Sequence, residues 1–383
     1  MAWAVGRHEP DAVEDALVNK ATVGIVGCGA ISGVYFQRCA QFRNLRVGAC
    51  ADLVPERAEQ RAHEYGVPKV LSVDALLADP DIDIVLNLTV PRAHAEVNLR
   101  AIEAGKHVYC EKPPATSRTD GRRTLEAARD RGVRVGSAPD TFLGAGIQTC
   151  IRAIDDGAIG RPIAATAFML CHGHESWHPS PEFYYEVGGG PMFDMGPYYL
   201  TALVAMLGPV EAVSASARVT FAERTITSEP KRGKVVKVET PTHLAGVLDF
   251  ANGAVGTLVT SFDVWAANVP CLEVYGTEGT LSAPDPNGFG GTVRVRRAAD
   301  REWREIPHEH GFGDNYRGVG VADMAAAIAA GRTHRASGDL AFHVLDVMEG
   351  FLDSAREGRR WRMESTVERP APLPAGLPPD AVD

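Results

Sequence analysis

The sequence predicts an α/β protein: an N-terminal doubly wound parallel sheet, then an α+β domain built on a large, mostly antiparallel open sheet. Three observations carry this. Between Ala21 and Gly136 short β-rich runs alternate with helical stretches, the rhythm of βαβ units. A Gly-x-Gly turn joins the first run to the first helix. After Gly144 the alternation gives way to long period-2 stretches separated by turns.

With 383 residues the chain is long enough for two domains of ordinary size. The expected division is an N-terminal extension over 1–20, a Rossmann domain over 21–143, a substrate-binding and oligomerisation domain over 144–365, and a proline-rich extended tail over 366–383. The apolar runs of the first domain are Thr22–Val26, Leu45–Ala51, Ile84–Leu88, Val108–Cys110 and Val133–Val135. Helical candidates between them are Ser32–Phe42, Pro55–Tyr65, Val73–Leu77, His94–Ala104 and Arg118–Arg131. In the second domain the order is a helix (Gly146–Asp156), a strand (Pro162–Leu170), a His- and aromatic-rich loop and a helix (Pro191–Leu207). Thr242–Phe250 and Ala254–Ser261 flank Ala251-Asn252-Gly253, an Asn-Gly signal for a type I′ hairpin. A second hairpin spans Cys271–Ser282, and two helices, Val321–Ala330 and Leu340–Glu357, close the domain.

Composition narrows the function. The formal net charge is −10, whereas a nucleic-acid partner requires a basic face. No apolar run approaches the roughly 20 residues that cross a bilayer. The first 20 residues hold Glu9, Asp11, Glu14 and Asp15 and no secretory apolar core. Seven scattered cysteines without a CxxC pair suit a reducing, cytoplasmic setting.

The turn reads Gly27-Cys28-Gly29-Ala30-Ile31-Ser32. Gly27 permits the sharp bend, and Gly29 lets a pyrophosphate approach the backbone at a helix N-terminus. Ser32 stands where glycine or alanine is usual and is small enough for helix–strand packing. The next strand ends in Asp52, about 20 residues on, where a carboxylate accepts hydrogen bonds from ribose hydroxyls and repels a 2′-phosphate. NAD is therefore expected rather than NADP; Arg57, nearby, is the residue that could favour the phosphate or stack on adenine.

Two further segments carry a family resemblance. The first is Asn87-Leu88-Thr89-Val90-Pro91-Arg92-Ala93-His94 with Ala104-Gly105-Lys106-His107-Val108-Tyr109-Cys110-Glu111-Lys112-Pro113. The second is Gly188-Gly189-Gly190-Pro191-Met192-Phe193-Asp194-Met195-Gly196-Pro197-Tyr198. Together with the turn, they resemble the glucose–fructose oxidoreductase/inositol dehydrogenase/MocA (Gfo/Idh/MocA) family from about residue 21 to 360. The resemblance implies that Ala30, Ile31, Asn87, Thr89, Pro91, His94 and Glu111 join Gly27, Gly29, Asp52 and Arg57 at the cofactor. It also implies a cis peptide before Pro113 and a catalytic role for Lys112. A lysine at the C-terminal end of a parallel strand can stabilise a developing alkoxide.

The family pattern D-x-G-x-H reads here Asp194-x-Gly196-x-Tyr198. On one helix these two residues share a face, so Tyr198, with Asp194 and Lys112, is the expected acid–base group. A free tyrosine titrates near about 10 and needs a cation's help as a base, and the lost histidine argues against an Asp–His dyad. Tyr199 is expected to pack.

Cys171-His172-Gly173-His174-Glu175-Ser176-Trp177-His178 and Phe183-Tyr184-Tyr185 suit contacts to a sugar ring. His174, Trp177, His178 and Tyr185, with Asp140 and Phe142 after the last Rossmann strand, are the substrate candidates. His172, His174, Glu175 and His178 also allow a metal reading, though their spacing is not a standard one. Packing alone is a third reading. The expected activity is oxidation of a secondary hydroxyl of a sugar, cyclitol or glycoside, or reduction of the matching ketone, by a homodimer or homotetramer. Alternatives are an NAD-dependent glycosidase working by transient oxidation and elimination, and a sugar-responsive sensor without catalysis.

Overall fold

The structure, a computed structural model, describes residues 20–383, so the extension expected over 1–20 lies, but for Lys20, outside the described residues. Six parallel strands form the first sheet: β1 (Ala21–Val26), β2 (Leu45–Ala51), β3 (Lys69–Val70), β4 (Ile84–Asn87), β5 (His107–Cys110) and β6 (Val135–Ser137). Their order is β3-β2-β1-β4-β5-β6, with the reversal between β1 and β4 that opens a ligand crevice at the strands' C-terminal ends. β1 and β4 are buried on both faces, hence their unbroken apolar runs. The two-residue edge strand β3 is too short to show a period, and β6 lies two residues beyond the run Val133–Val135.

The crossovers are α1 (Ser32–Cys39), α2 (Pro55–Tyr65), α3 (Val73–Ala78), α4 (Pro91–Glu103) and α5 (Arg118–Arg131). Their ends follow local chemistry. Pro55 and Pro91 open α2 and α4, where no amide donor is needed. The Ser117 hydroxyl accepts from the Asp120 amide, and Gly132 ends α5 in the left-handed region.

The second sheet has nine strands: β7 (Pro162–Leu170), β8 (Val210–Arg218), β11 (His243–Phe250), β12 (Val255–Ser261), β13 (Leu272–Gly276), β14 (Gly279–Ala283), β15 (Val293–Arg297), β16 (Arg304–Ile306) and β17 (Trp361–Arg362). A separate ribbon pairs β9 (Glu223–Thr225) with β10 (Val235–Lys237). The large sheet runs β16-β15-β14-β13-β7-β12-β11-β8-β17, antiparallel throughout except between β7 and β12. Its helices are α6 (Ala145–Asp155), α7 (Gly190–Asp194), α8 (Gly196–Leu207), α9 (Val319–Ala330) and α10 (Gly338–Glu357). Every residue of α8 is buried, as its all-round apolar sequence requires. Among the described residues no helix is long and apolar enough to cross a membrane.

Four details differ from the sequence expectation. The hairpin between β11 and β12 is not a type I′ turn, because Gly253 alone, not Asn252, has positive φ. Its three-residue loop closes with the Phe250 amide donating to the Ala254 carbonyl at 3.0 Å. The helix expected over 191–207 breaks at Met195, since Pro197 lacks an amide and crowds the carbonyl four residues back.

The tail is irregular but docked. Leu373 is buried, its amide donating to Gln148 at 2.7 Å, and Arg369 pairs with Asp155. Finally, α9 returns to the first domain. The Gly318 and Gly320 amides reach Asp140, and Asn44 donates to the Ala322 carbonyl. Arg118 of α5 meanwhile grips Asp346, Glu349 and Asp353 of α10. The two sheets are thereby held around one cleft.

Candidate active site

The turn after β1 is shaped for a dinucleotide. Gly27 has φ +100°, and a Cβ there would lie 2.7 Å from the Leu88 carbonyl carbon, so only glycine fits. A Cβ on Gly29 would meet nothing within 4 Å, which leaves its backbone open to a ligand. Ser32 is buried and donates its hydroxyl to the Gly29 carbonyl at 2.7 Å, fixing the turn in place of a third glycine.

Asp52 accepts from the Cys28 amide at 2.7 Å and from the Val54 amide at 2.8 Å, one on each oxygen. Each oxygen keeps a lone pair for a ribose hydroxyl. Ala30 and the apolar side chains Ile31, Leu53, Val54 and Val90 are exposed around this turn, with Leu53 93% exposed, and offer a surface for a base. Arg57 is exposed on α2, whereas Arg61 reaches back toward the Gly29 carbonyl at 3.4 Å. The donor and acceptor set fits NAD.

Of the other cofactor candidates, two serve the fold instead. Asn87 is fully buried; its amide donates to the His94 carbonyl and Asn98, and its oxygen accepts from the Thr89 amide and hydroxyl. His94 is 1% exposed, with Nδ1 2.7 Å from the Pro113 carbonyl and Nε2 2.9 Å from the Thr89 carbonyl. Burial pulls its pKa down while the two carbonyls pull it up, and burial wins. His94 thus ties the loop after β4 to the loop after β5 and has no nitrogen free for a cofactor. Thr89, at the mouth of this loop, and Pro91, the first residue of α4, are both partly exposed. Glu111 accepts from the Tyr35 hydroxyl at 2.7 Å and from the Lys112 amide at 2.9 Å, so its carboxylate is locked beneath the next residue.

The Lys112–Pro113 peptide is cis. Lys112 Nζ reaches across the cleft and donates to the Asp194 carbonyl at 2.6 Å and to Asp194 Oδ1 at 2.9 Å. Burial alone would lower the lysine's pKa, but Asp194, Tyr198 and Glu111 together hold it above the ordinary value. Asp194 responds in kind. Burial raises its pKa, yet Lys112 and His174 bring it down to about 2.

The Tyr198 ring centroid lies 5.1 Å from Lys112 Nζ. Although α7 and α8 are separated by the break at Met195, Asp194 and Tyr198 still face the same ammonium. Tyr199 packs in the core, 3% exposed.

The second Asp194 oxygen meets a residue that spacing gave no reason to pair with it. His174 Nε2 stands 3.1 Å from Oδ2. The Asp–His pair that Tyr198 seemed to rule out is therefore present, with a histidine drawn from the loop after β7. His174 is a substrate candidate from sequence and only its pairing with Asp194 was missed, whereas Arg317, at the entry to α9, was missed altogether. Burial lowers its pKa, but Tyr198, Tyr35 and Asp140 outweigh this and raise it, so its guanidinium is a second cation beside Tyr198. Asn315 accepts from Arg317 at 3.0 Å and steadies it. Arg317 belongs to no local motif.

Three substrate candidates are corrected. Asp140 is 1% exposed, and its Oδ2 accepts the Gly318 and Gly320 amides at the start of α9; burial pushes its pKa to about 6. Phe142 is 2% exposed core. Tyr185 is fully buried and donates to Glu175, which also binds Arg224 at 2.8 Å. Of the remaining candidates, Trp177 is 62% exposed, and His178 is partly exposed with Nδ1 accepting from the Ser180 amide.

The four side chains of the metal reading point to different partners, since His172 stacks on Trp265, His174 on Asp194's side, Glu175 toward Arg224 and His178 toward Ser180. Among the described residues no group of three or more His, Cys, Asp or Glu side chains is arranged to hold a metal ion.

A Rossmann crevice whose own Lys112 pairs with the Asp194 carboxylate of the second domain defines a dinucleotide-dependent oxidoreductase. Comparison with known proteins gives the family. Residues 21–138 match the oxidoreductase family with an NAD-binding Rossmann fold, and residues 147–282 match the GFO/IDH/MocA C-terminal domain. The 1,5-anhydro-D-fructose reductase of Ensifer adhaerens is 31% identical over 264 residues, 67% of this chain and 74% of its own. Myo-inositol 2-dehydrogenase of Thermotoga maritima is 25% identical over 263 residues, 68% and 74% of the two chains.

Among solved structures, levoglucosan dehydrogenase in complex with NADH and levoglucosan superposes with a TM-score of 0.78 at 22% identity, covering 90% of this chain and 100% of that one. Aldose–aldose oxidoreductase from Caulobacter crescentus, complexed with glycerol, gives 0.74 at 25% identity, with 90% and 100% covered. The chain belongs to the Gfo/Idh/MocA family of oxidoreductases.

Proposed function

We propose that this chain is an NAD-dependent dehydrogenase that oxidises a secondary hydroxyl of a sugar, cyclitol or glycoside, or reduces the matching ketone. The observation that carries the proposal is the Asp194 carboxylate, which holds Lys112 on one oxygen and His174 on the other. An ammonium has three donors; Lys112 gives two to Asp194 and has the third for a substrate oxygen. Its charge stabilises the alkoxide character that develops there as the carbon–hydrogen bond breaks. Bound NAD supplies the acceptor for the hydride.

Tyr198, flanked by Lys112 and Arg317, hydrogen-bonds the same oxygen. Trp177 stacks on the apolar face of the ring and His178 binds a neighbouring hydroxyl. Asp52, with no cation bonded to it among the described residues, favours NAD over NADP. All seven cysteines are unpaired, which suits a reducing, cytoplasmic setting. The broad face of the nine-stranded sheet is the proposed contact of a homodimer or homotetramer.

The test is NADH formation with a panel of myo-inositol, levoglucosan, D-xylose and aryl glycosides, with NAD and NADP in parallel. Net NADH with at least one compound is expected. Aglycone release without net NADH would replace this proposal with a glycosidase, and silence across the panel would refute it.

A further inference from the structure

His174 occupies an unusual position for a residue of a sugar-contacting loop. Its Nε2 lies 3.1 Å from Asp194 Oδ2, and a carboxylate kept ionised well below neutrality takes a donor there, so Nε2 carries the proton. In the neutral ring this leaves the lone pair on Nδ1. Among the described residues Nδ1 has no protein partner, yet it does not belong to the sealed, unsatisfied buried atoms, so it remains accessible to solvent.

The ring itself is gripped. Tyr184 packs edge-on at 4.1 Å, Phe262 lies at 4.7 Å and Trp177 at 5.2 Å between centroids. The charged or titratable groups facing it are Asp194 from α7, Lys112 behind that carboxylate, Tyr184 from the segment before α7, and His178 from its own loop.

An imidazole oriented by a carboxylate through one nitrogen and open through the other is the arrangement of a general base. We propose that His174 is the proton acceptor of the reaction, with Asp194 orienting it and Tyr198 acting as a hydrogen-bond donor to the reacting oxygen. The assignment rests on the dehydrogenase reading above.

The balance is complete. The hydroxyl O–H bond breaks and its proton goes to His174 Nδ1. The carbinol C–H pair leaves to the dinucleotide, and the oxygen's electrons close the C=O bond. The imidazolium so formed is paired with Asp194 and returns its proton to solvent through the open Nδ1 side. Because Asp194 also binds Lys112, one carboxylate sets both the cation that steadies the oxygen and the base that deprotonates it. The histidine absent from position 198 is thereby replaced from a different element.

Two measurements test this. In the first, turnover of whichever panel compound gives NADH is compared among wild type, His174→Gln, His174→Ala and Tyr198→Phe. Glutamine can still donate to Asp194 but cannot take a proton. His174→Gln should lose about 10²-fold or more in kcat with KM changed far less. His174→Ala should regain about tenfold with added imidazole. Turnover of His174→Gln near wild type, or a loss in His174→Ala that imidazole does not relieve, overturns the assignment.

In the second, no turnover is needed. The carboxylate-bonded Nε2 proton should give a strongly deshielded proton resonance that persists in Tyr198→Phe and vanishes in Asp194→Asn and His174→Gln; its absence from wild type overturns the dyad. A wild-type enzyme inert toward the whole panel, with this resonance present, refutes the dehydrogenase reading and not the dyad.

Discussion

Replacing Asp194 by asparagine keeps the shape of the site and removes the charge that organises it. The carboxyl is brought from an ordinary 3.8 down to about 2, which corresponds to about 2 kcal/mol. Because the side chain is only 16% exposed, solvent screening discounts little of this. The folded-state pKa is the lower one, so the contribution is complete above about pH 5 and is lost as the pH falls toward 2. It is about half gone by pH 3.

For 383 residues, an unfolding entropy of about 2.1 cal/mol/K per residue gives about 0.8 kcal/mol/K, and hence a drop of about 3 °C in Tm at pH 7. Lys112, buried beside an uncharged amide, adds to that drop. Scanning calorimetry of both proteins between pH 3 and 7 reads the difference directly. A gap that narrows as the pH falls supports the account. A gap that is independent of pH, or absent at pH 7, would show that the Lys112–Asp194–His174 charges are not coupled to the fold.

Two further predictions concern the cofactor and the domain clamp. Asp52→Ser removes the carboxylate beside the ribose position and should lower NAD affinity by about tenfold while improving NADP relative to NAD; isothermal titration checks both, and an unchanged NAD/NADP ratio counts against the role of Asp52. Arg118→Met strands the buried carboxylates of Asp346 and Asp353 and should cost about 3–5 kcal/mol. It should lower Tm without altering NAD affinity in the protein that remains folded, and a Tm equal to wild type would contradict the clamp.

The sequence carried local information well and long-range pairing poorly. Gly27, Gly29 and Asp52 were legible because one turn and the end of the adjacent strand bring them together. Lys112 and Asp194 were legible because each sits in a dense motif. The His174–Asp194 contact was not, since 20 residues and an irregular loop intervene and no periodicity relates them. Arg317 is farther still, 119 residues beyond Tyr198, and arrives through the return of α9 to the first domain.

Burial misled in the other direction. Asn87, His94, Asp140 and Tyr185 have the chemistry of binding groups, but each spends it on backbone amides, carbonyls or a buried carboxylate within the fold. The break at Met195 was written in Pro197, yet the apolar period of Pro191–Leu207 ran straight across it.

The most direct test of the central claim, that Lys112, held by Asp194, binds the reacting oxygen beside a dinucleotide, is Lys112→Ala measured two ways on one preparation. NAD affinity by titration should stay within a few-fold of wild type, because Asp52 and the Gly27–Gly29 turn are untouched. Turnover of the panel compound should fall by about 10³-fold, the scale of losing an oxyanion-stabilising donor. Turnover equal to wild type would contradict the claim outright.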